Sequence, residues 1–500
     1  MLVEPTTKTH SSLEDYFDSF RKNIVGQDIE FLSPYGPKRM LYADWIASGR
    51  MYGPIEEIFQ NDIFPMVGNT HTKTTVTGCS MTYAYHKAKE IIKAHVNANE
   101  DDILISSNSG MTGVINKLQR ILGLKVHESF TDKVCLEGVE KPIVFITHME
   151  HHSNQTSWLE TLADVCIIEP TDEGLVNLDH FAELLEEYKD RETKIAAITS
   201  CSNVTGVFTP YHEMAEMIHQ YNGWCFVDFA CSAPYIDIDM HPVNEAQKLD
   251  AIYFSPHKFL GGPSGTGILI FNQELYKNTI PDNPGGGTVE WTNPWGEHQY
   301  FEAIEEREDG GTPAFLQTMR VALSAQLKDQ MGVDKIHNRE HELIERIWPR
   351  LENIPNLHVL ADNIKHRLGV ISFYIDGLHY NLGVKMLNDR YGIQVRGGCS
   401  CAGTYGHYLL EVSQEKSKSI TSAISAGDYT SKPGWIRLSL HPTLKDSELD
   451  FIADALENLA ANFEKWSESY NYDACKNEFI HHDDPLDELK QVESWFSKLK

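Results

Sequence analysis

Short runs of apolar residues alternate, through residues 100–275, with longer stretches in which apolar residues recur every three or four positions. The short runs have the length of buried β-strands, and the longer stretches have the period of amphipathic helices. Strands that alternate with helices indicate crossover connections and a mostly parallel sheet, so the pattern predicts an α/β fold. The predicted strands are 102–107, 143–147, 165–168, 194–199, 224–228, 251–254 and 268–271, and the predicted helices between them are 155–163, 178–188 and 211–221.

Clusters of polar residues directly follow four of the predicted strands. In open α/β sheets, ligands bind beyond the carboxyl ends of the strands, so these clusters form the candidate site. The clusters are HMEHHSN at 148–154, SCSNVTG at 200–206, DFACS at 228–232 and SPHK at 255–258.

Lys258 ends the last cluster, just before a glycine-rich loop at 261–267 that lets the chain turn back into the strand 268–271. A lysine at the end of a buried strand projects into a cleft, where partial loss of solvent lowers the pKa of its amine. Such an amine is a candidate for Schiff-base formation with a carbonyl cofactor. For this lysine taken alone, an ordinary surface position in a loop is the alternative.

Asp228 closes the apolar run 224–227, which places a carboxylate inside the protein. A buried carboxylate needs a cationic partner or strong hydrogen-bond donors. A protonated pyridine nitrogen would be such a partner, and proteins that use pyridoxal phosphate combine a Schiff-base lysine with an acidic partner for that nitrogen. His151, at the end of another strand, has a ring that could stack on the pyridine, and a capping histidine is the alternative.

Residues 108–113 (NSGMTG) join the strand 102–107 to a helix that ends near 121. A turn of small residues at a helix N-terminus exposes unpaired N–H groups at the positive end of the helix dipole, which suits a phosphate. The alternative is a turn that only connects the strand to the helix.

The 500-residue chain has 43 basic and 72 acidic residues, a formal net charge of -29, and no basic arm. This charge argues against a nucleic acid or an anionic membrane as partner. Residues 1–10 lack the pattern of a signal peptide and no window approaches 18 uninterrupted apolar residues, so we predict a soluble protein in the cytoplasm. The nine cysteines have no paired CxxC spacing, which fits reduced thiols and predicts no metal site.

A chain of this length exceeds what one hydrophobic core usually organises, so we expect more than one domain. The expected parts are an N-terminal arm with a helix (1–40), a large domain (41–315), a small domain (316–466) and an acidic tail (467–500). In the small domain, 370–375 is predicted as an edge strand. His481 and His482 are expected to lie in a solvated tail rather than to bind a metal.

Further motifs stand in a defined order between about 42 and 459. They are G-N-x-H at 68–71, G-M-T at 110–112, M-E-H-H-x-N at 149–154, S-N-x-x-G at 202–206, D-x-A at 228–230, S-x-H-K at 255–258, G-G-T-P at 310–313 and R-x-S at 437–439. Their order resembles the class V aminotransferase superfamily of pyridoxal-phosphate enzymes, and within it the cysteine desulfurase and selenocysteine lyase branch. The resemblance implies the type I fold of pyridoxal-phosphate-dependent transferases, an α/β architecture with a large, mostly parallel, seven-stranded sheet domain and a smaller α+β C-terminal domain.

The resemblance also implies which residues form the site. Those implied for pyridoxal 5′-phosphate are Gly110, Met111, Thr112, His151, Asn203, Asp228, Cys231, Ser255, His257 and Lys258, and Thr312 is implied to reach the phosphate of the neighbouring subunit. Those implied for an amino-acid substrate are Asn69, His71, Arg396 and Arg437. Arg437 would hold the substrate carboxylate, a bidentate task that suits a guanidinium. A homodimer with shared active sites follows from the same resemblance.

The loop 395–406 (VRGGCSCAGTYG) decides the reaction. Desulfurases of the branch that this chain resembles carry a nucleophilic cysteine five residues after an arginine, and Arg396 and Cys401 keep that spacing. The resemblance implies that the Cys401 thiolate attacks the substrate sulfur or selenium, which leaves a persulfide on Cys401 and releases alanine. A sulfur-acceptor protein is then an expected partner. Cys399 makes the motif G-C-x-C-x-G, similar to the loop of molybdenum cofactor sulfurases, so both cysteines stay candidates for the nucleophile.

Two positions depart from the family pattern. Cys231 stands where desulfurases usually have a glutamine, and Met111 stands where the phosphate-binding turn often has a threonine. Because a thiol does not replace an amide donor, an aminotransferase, β-lyase or epimerase reaction on another amino acid, with Cys401 not catalytic, is the alternative function. A third hypothesis is a non-catalytic binding protein, against which the complete set of Lys258, Asp228, His151 and Arg437 argues.

Overall fold

The computed structural model describes residues 12–131, 140–485 and 488–499 of the chain, so residues 1–11 of the predicted arm lie outside the described residues. The helices are α1 (Leu13–Arg21), α2 (Gly53–Ile58), α3 (Val76–His95), α4 (Gly110–Ile121), α5 (Glu128–Thr131), α6 (His152–Leu159), α7 (Leu178–Glu187), α8 (Tyr211–His219), α9 (Ile304–Arg307), α10 (Phe315–Met331), α11 (Val333–Glu352), α12 (Tyr380–Tyr391), α13 (Gly403–Leu409), α14 (Gln414–Ser425), α15 (Asp446–Ser467) and α16 (Glu488–Ser497). Among the residues that the structure describes, no helix combines the length and the apolar character that crossing a bilayer requires.

The strands fall into one large sheet, one smaller sheet and several short ribbons. They are β1 (Glu30–Ser33), β2 (Gly36–Arg39), β3 (Leu41–Tyr42), β4 (Asp102–Ser107), β5 (Ile143–Thr147), β6 (Asp164–Ile168), β7 (Lys194–Thr199), β8 (Trp224–Asp228), β9 (Ala251–Phe254), β10 (Gly267–Asn272), β11 (Val289–Thr292), β12 (His298–Tyr300), β13 (Leu357–Val359), β14 (Val370–Ile375), β15 (Ile393–Gln394), β16 (Arg396–Gly398), β17 (Trp435–Ser439), β18 (Tyr470–Asp473) and β19 (Glu478–His481).

The large sheet has seven strands in the order β4-β10-β9-β8-β7-β5-β6. β10 runs antiparallel to both of its neighbours, and the other pairs are parallel. The predicted α/β fold with a large, mostly parallel, seven-stranded sheet is therefore confirmed. Thr199 pairs with Asp228, and Asp228 pairs with Tyr253, so the polar clusters that follow β7, β8 and β9 meet at one edge of the sheet.

Burial on both faces explains why the strands of this sheet are continuously apolar. In β5, Ile143 and Phe145 pack into one hydrophobic cluster, whereas Val144 and Ile146 pack into a second cluster on the opposite face. Strands that are covered on both faces do not need the apolar and polar alternation of a half-exposed strand.

The smaller sheet is antiparallel, with the order β13-β14-β17-β16. Its core includes Leu343 of α11, Met386 of α12 and Leu456 of α15. The predicted edge strand at 370–375 is wrong, because β14 lies between β13 and β17. An interior position agrees with the burial of β14, in which only Tyr374 is half-exposed.

The N-terminal segment packs partly on the small domain. Leu41 and Ala43 are buried in the small-domain core, and β3 pairs in parallel with β15. In addition, the Ser439 N–H donates to the Ala43 carbonyl at 2.8 Å. The domain boundaries stay predictions; Leu41 and Ala43 pack in the small-domain core, whereas Tyr42 packs against the cluster that covers the large sheet.

The C-terminal segment differs from the predicted solvated tail. β18 and β19 form an antiparallel hairpin, and His481 at its end is buried with Nε2 at 3.1 Å from the Tyr35 hydroxyl. Lys385 of α12 binds Asp484 at 2.8 Å. The expectation of a solvated position is therefore wrong for His481, whereas His482 is exposed. The difference arises because the hairpin covers an apolar part of the small domain that local sequence does not reveal.

Gly267, at the start of β10, packs against Gly110, at the start of α4. A Cβ at position 267 would lie 2.2 Å from the Gly110 carbonyl oxygen, so Gly267→Ala must push the two backbones apart. We expect this variant to lose about 1–3 kcal/mol in the free energy of unfolding, measured by denaturant titration. Gly286→Ala is the matched control, because no described atom lies within 4 Å of a Cβ there. Equal losses in the two variants would contradict this packing.

Candidate active site

A cavity of ≈ 450 Å³ lies where β7, β8 and β9 end, and residues of the small-domain strands β16 and β17 close its other side. The predicted site residues on its wall are Gly110, Met111, Thr112, His151, Asn203, Asp228, Cys231, Ser255, His257, Lys258, Arg396, Cys401 and Arg437. The polar clusters that end the strands therefore share one cavity with two arginines and a cysteine from the small domain.

Lys258 and Asp228 are charged groups in a largely desolvated place. Lys258 closes a short 3₁₀ turn after β9, and burial lowers the pKa of its amine against the opposing effects of the Cys231 thiol and Asp228. Asp228 closes β8 with 2% of its surface exposed, and the Ala230 N–H donates to its Oδ1 at 2.8 Å. Burial raises the pKa of Asp228 to about 6, although the Ala230 hydrogen bond and the Lys258 charge lower it. The charges of both side chains are only partly compensated within the protein, so both are suited to a ligand that supplies a further partner to each.

His151 combines the two roles that its sequence position allows. Its Nδ1 accepts a hydrogen bond from the Ser153 N–H at 3.1 Å, so it caps α6. Its ring also lies on the cavity wall. Burial, followed by the charge of Lys258, lowers the pKa of His151 to about 3, so the ring is neutral at physiological pH. A neutral ring at the wall can stack on an aromatic ligand without adding charge.

The start of α4 lies on the cavity wall. Gly110 has φ +60°, and a Cβ there would lie 3.2 Å from the Ser255 hydroxyl. The Met111 N–H donates to the Ser255 hydroxyl at 2.9 Å, and the Thr112 and Ser153 hydroxyls are 2.7 Å apart. Three hydroxyl groups and the positive end of a helix dipole therefore lie together at this part of the cavity wall, which suits a phosphate.

Two arginines share one carboxylate at the small-domain side of the cavity. Asp44 accepts from Arg437 Nη2 at 2.9 Å and from Arg396 Nε at 3.0 Å. Arg437 also donates to the Asn203 carbonyl at 3.2 Å, and its Nε has no acceptor among the described residues. One carboxylate facing two guanidinium groups leaves one unit of positive charge, which a single substrate carboxylate would balance.

Asp44 is a site residue that the sequence interpretation missed. It follows the short strand β3, where one acidic residue stands among apolar and small neighbours. An acidic residue directly after a buried strand is the same signal that identified Asp228, so the sequence offered a hint but not the two arginine partners.

Glu150 belongs to the predicted cluster 148–154 but is not among the residues of the cavity wall. Its carboxylate accepts from the Thr147 hydroxyl at 2.6 Å, from the Thr199 N–H at 2.9 Å and from the Asn154 amide at 2.7 Å. These bonds tie the end of β5 to the end of β7. Burial raises the pKa of Glu150 to about 7.

The loop that carries Cys401 is strained and is held from the large domain. Ser400 and Cys401 both have left-handed backbones, with φ +50° and +58°. The Asn203 side-chain amide donates to the Ser400 carbonyl at 2.7 Å. His152 donates its N–H to the Cys401 carbonyl at 2.7 Å and accepts the Gly403 N–H on its Nε2 at 2.9 Å.

This arrangement distinguishes the two cysteines of the loop. Cys401 is exposed and lies on the cavity wall. Cys399 is half-buried and packs against the hydrophobic core.

Three predicted residues lie elsewhere. Asn69, His71 and Thr312 are exposed, and the cavity wall formed by the described residues includes none of them. His71 adopts a left-handed backbone with φ +64° in the turn before α3, and its Nδ1 pairs with the Thr70 hydroxyl at 3.2 Å. Within one chain, the structure therefore does not bring these three side chains to the cavity.

Comparison with known proteins assigns the chain to a family. The family model for aminotransferase class-V matches residues 59–451, which is more than half of the chain. The chain belongs to the class-V aminotransferase family.

The curated relatives and solved structures that the chain resembles have more specific names than the family. The chain is 28% identical over 389 residues to a probable cysteine desulfurase of Staphylococcus aureus, an alignment that covers 77% of this chain and 88% of the relative. It is 29% identical over 338 residues to a cysteine desulfurase of Synechococcus elongatus, covering 67% of this chain and 50% of the relative. The apo cysteine desulfurase of Thermococcus onnurineus has a TM-score of 0.71 at 22% identity, covering 89% of this chain and 98% of the other. The S-sulfonic acid form of a cysteine desulfurase of Escherichia coli has a TM-score of 0.68 at 20% identity, with the same coverage of 89% and 98%. Both solved structures share the fold of this chain.

Asp228→Asn tests what it costs to bury this carboxylate. The folded-state pKa of about 6 lies above the ordinary value, so the Asp228 contribution to stability is present at low pH and is lost as the pH rises through 6. Asparagine keeps an acceptor for the Ala230 N–H but does not ionise. We expect the cofactor-free variant to exceed the wild type by about 1–3 kcal/mol at about pH 8, and to match it at about pH 4, in denaturant titrations.

Asp282→Asn is the control with the opposite sign. Burial alone would raise the pKa of Asp282, but the Arg120 hydrogen bond and the Lys117 charge hold it below its usual range. This variant should therefore be less stable than the wild type at about pH 8. If Asp228→Asn were also less stable than the wild type at about pH 8, the buried Asp228 carboxylate would not destabilise the protein.

His152→Ala tests the hold on the Cys401 loop. The variant removes the acceptor of the Gly403 N–H, and the loss of one such bond corresponds to about 1 kcal/mol, or roughly fivefold faster hydrogen exchange in residues 399–404. His152→Gln, which retains a side-chain acceptor, should exchange more slowly than His152→Ala. Unchanged exchange in His152→Ala would show that the loop does not depend on this bond.

Proposed function

We propose that the chain is a pyridoxal-phosphate-dependent cysteine desulfurase or selenocysteine lyase that works through Cys401. The observation that carries the proposal is the position of Cys401, which is exposed on the wall of the same cavity that holds Lys258 and Arg437. The names of the relatives, at 28% and 29% identity, support the same reaction.

The cavity fits pyridoxal 5′-phosphate at three points. The cradle formed by Gly110, Met111 and Ser255 suits the phosphate, and a Cβ at Gly110 would narrow it. The buried carboxylate of Asp228 suits a protonated ring nitrogen, and the Lys258 amine suits the cofactor's carbonyl carbon. When bound, the cofactor would supply an electron sink for bonds that break at the substrate's α carbon.

The chain's own residues would bind and orient the substrate. Arg437 and Arg396 would take the substrate carboxylate, since Asp44 balances only one of their two charges. The Lys258 amine, whose pKa burial lowers, would take and return the proton of the substrate's α carbon. His151 would stay neutral against the ring of the cofactor.

Cys401 would carry out the sulfur transfer. Its thiolate would form a bond to the substrate sulfur or selenium as the carbon–sulfur or carbon–selenium bond breaks. The sulfur then remains on Cys401 as a persulfide, and the carbon skeleton takes up a proton and leaves as alanine. Because Cys401 is exposed, the terminal sulfur would be accessible to a sulfur-acceptor protein.

A homodimer with shared sites is part of the proposal. Asn69, His71 and Thr312 are exposed outside the cavity of their own chain, which is where residues that complete a neighbour's site must lie. Phe64, Val67 and Val76 form exposed apolar surface close to Asn69 and His71 in the sequence.

We place the protein in the cytoplasm, since the eight cysteines in the described part of the chain are free thiols, as a reducing compartment requires.

The alternative is a transamination, β-elimination or epimerisation of another amino acid, in which Cys401 takes no part. Cys231 favours it, because this thiol lies on the cavity wall at the position where the resemblance to desulfurases leads us to expect a glutamine amide.

The test is turnover of the cofactor-loaded chain with L-cysteine, L-selenocysteine and a panel of other amino acids, scoring alanine, sulfide or selenide, and keto acid. We expect alanine with sulfide or selenide, and a loss of at least about 100-fold in Cys401→Ser, because the nucleophile is removed. Cys399→Ser is the matched control and should retain activity. Lys258→Ala, run beside them, should lose the absorbance band of the bound cofactor.

Two outcomes would contradict the proposal. Keto acid without sulfide, unchanged in Cys401→Ser, would assign the chain to the alternative reactions. Loss of activity in Cys399→Ser with full activity in Cys401→Ser would move the nucleophile to Cys399.

A further inference from the structure

Two cysteines from neighbouring loops meet in the wall of the cavity. Cys201 lies two residues after β7, and Cys231 lies three residues after β8, the neighbouring parallel strand. The Sγ atoms of both residues lie 3.6 Å from one acceptor, the Ser202 carbonyl oxygen, which places the two thiols close together. Both cysteines also line the cavity. The pair is therefore a dithiol on the wall of the candidate active site.

The two loops are held side by side next to this pair. The Ser200 and Ser232 hydroxyls are 2.6 Å apart, and the Ser200 N–H donates to the Asp228 carbonyl at 2.9 Å. These contacts join the two loop backbones beside the shared acceptor of the Cys201 and Cys231 thiols.

The surroundings make the two thiols unequal. The hydrogen bond from Cys201 lowers the pKa of Cys231 against the effect of burial, and the charges of Lys258 and Arg437 lower it further. Burial, followed by Cys231, raises the pKa of Cys201. Cys231 is thus the more acidic thiol of the pair, and Cys201 is the neighbouring thiol placed to resolve its oxidised form.

We propose that Cys201 and Cys231 form a reversible oxidation site for peroxides in the wall of the cavity. The Cys231 thiolate attacks one peroxide oxygen, which breaks the O–O bond, gives a sulfenic acid on Cys231 and releases hydroxide. The Cys201 thiol then displaces the sulfenic oxygen, which leaves as water, and an S–S bond forms. In sum, two thiols and hydrogen peroxide give one disulfide and two waters. A small thiol reverses the step by disulfide exchange.

This site is separate from the proposed sulfur transfer, which uses Cys401. It also has a direct link to the cofactor, because the thiols line the cavity that pyridoxal 5′-phosphate would fill. Occupation of the cavity should therefore shield the pair from peroxide, and the dithiol would be oxidised in chains that have not been loaded.

The test is peptide mapping of the full-length chain after exposure to hydrogen peroxide, with Cys399→Ser and Cys401→Ser combined to remove the other neighbouring thiols. We expect a cross-linked peptide that joins Cys201 to Cys231, a mass decrease of two hydrogen atoms, and reversal by dithiothreitol. The cross-link should be lost in Cys231→Ser and retained in Cys225→Ser, because Cys225 is equally buried but its Sγ faces the Tyr211 carbonyl.

Loading the same protein with pyridoxal 5′-phosphate before exposure should slow the cross-link. Oxidation of the exposed Cys475 without a Cys201–Cys231 cross-link would overturn the proposal, because peroxide would then have reached the protein without reaction of the pair. An equal rate with and without bound cofactor would overturn the placement of the pair in the cofactor cavity. If the cofactor did not bind at all, the proposed function would fail while the cross-link still formed.

Discussion

The chemistry of the candidate site depends on the burial of charged side chains at one edge of a mostly parallel sheet. Desolvation disfavours the cationic form of Lys258 and the anionic form of Asp228. The charge of each group only partly opposes the pKa shift of the other. An uncompensated charge in such a place is costly, so the fold tolerates it only where a ligand or a neighbouring ion restores the balance. The register of β7, β8 and β9 brings these groups together, since the three strands end at the same level. The cavity is thus a consequence of strand pairing, and its chemistry is a consequence of which residues end each strand.

The small domain completes the site by electrostatics rather than by apolar packing. Arg437 and Arg396 reach the cavity from β17 and β16, and Asp44 holds both side chains. Asp44 follows β3, which pairs with the small-domain strand β15. One acidic residue from the N-terminal segment therefore fixes two cations that come from residues more than 350 positions away in the chain. A guanidinium held by one carboxylate keeps several N–H groups free, so the pair is preorganised for a second carboxylate.

Local patterns predicted much of the large domain and little of the pairings that complete the site. The strands 102–107, 143–147 and 194–199 were predictable to the residue, because each has a short apolar centre of the length that is typical of a buried strand. The position of β14 inside its sheet was not, since an isolated apolar run contains no information about its neighbours. The same limit applies to Asp44 and to the contact between Cys201 and Cys231, which depend on how distant segments meet. Asn69 and His71 show the reverse case, in which a motif is recognisable but one chain does not bring its side chains to the cavity.

The Cys401 loop has a narrow energetic margin. Two consecutive residues other than glycine, Ser400 and Cys401, have left-handed backbones, at a cost of about 1–3 kcal/mol each. The three hydrogen bonds that join the loop to Asn203 and His152 return about 0.5–1.5 kcal/mol apiece, so they offset much of the strain and leave no surplus. The loop holds Cys401 at the cavity wall while these hydrogen bonds are intact. When one of them breaks, the loop can move away from the wall. In the proposed function, the exposed Cys401 thiol would meet the substrate at the cavity wall and present its sulfur to an acceptor outside, and a marginally held loop would allow small shifts between the two at little energetic cost.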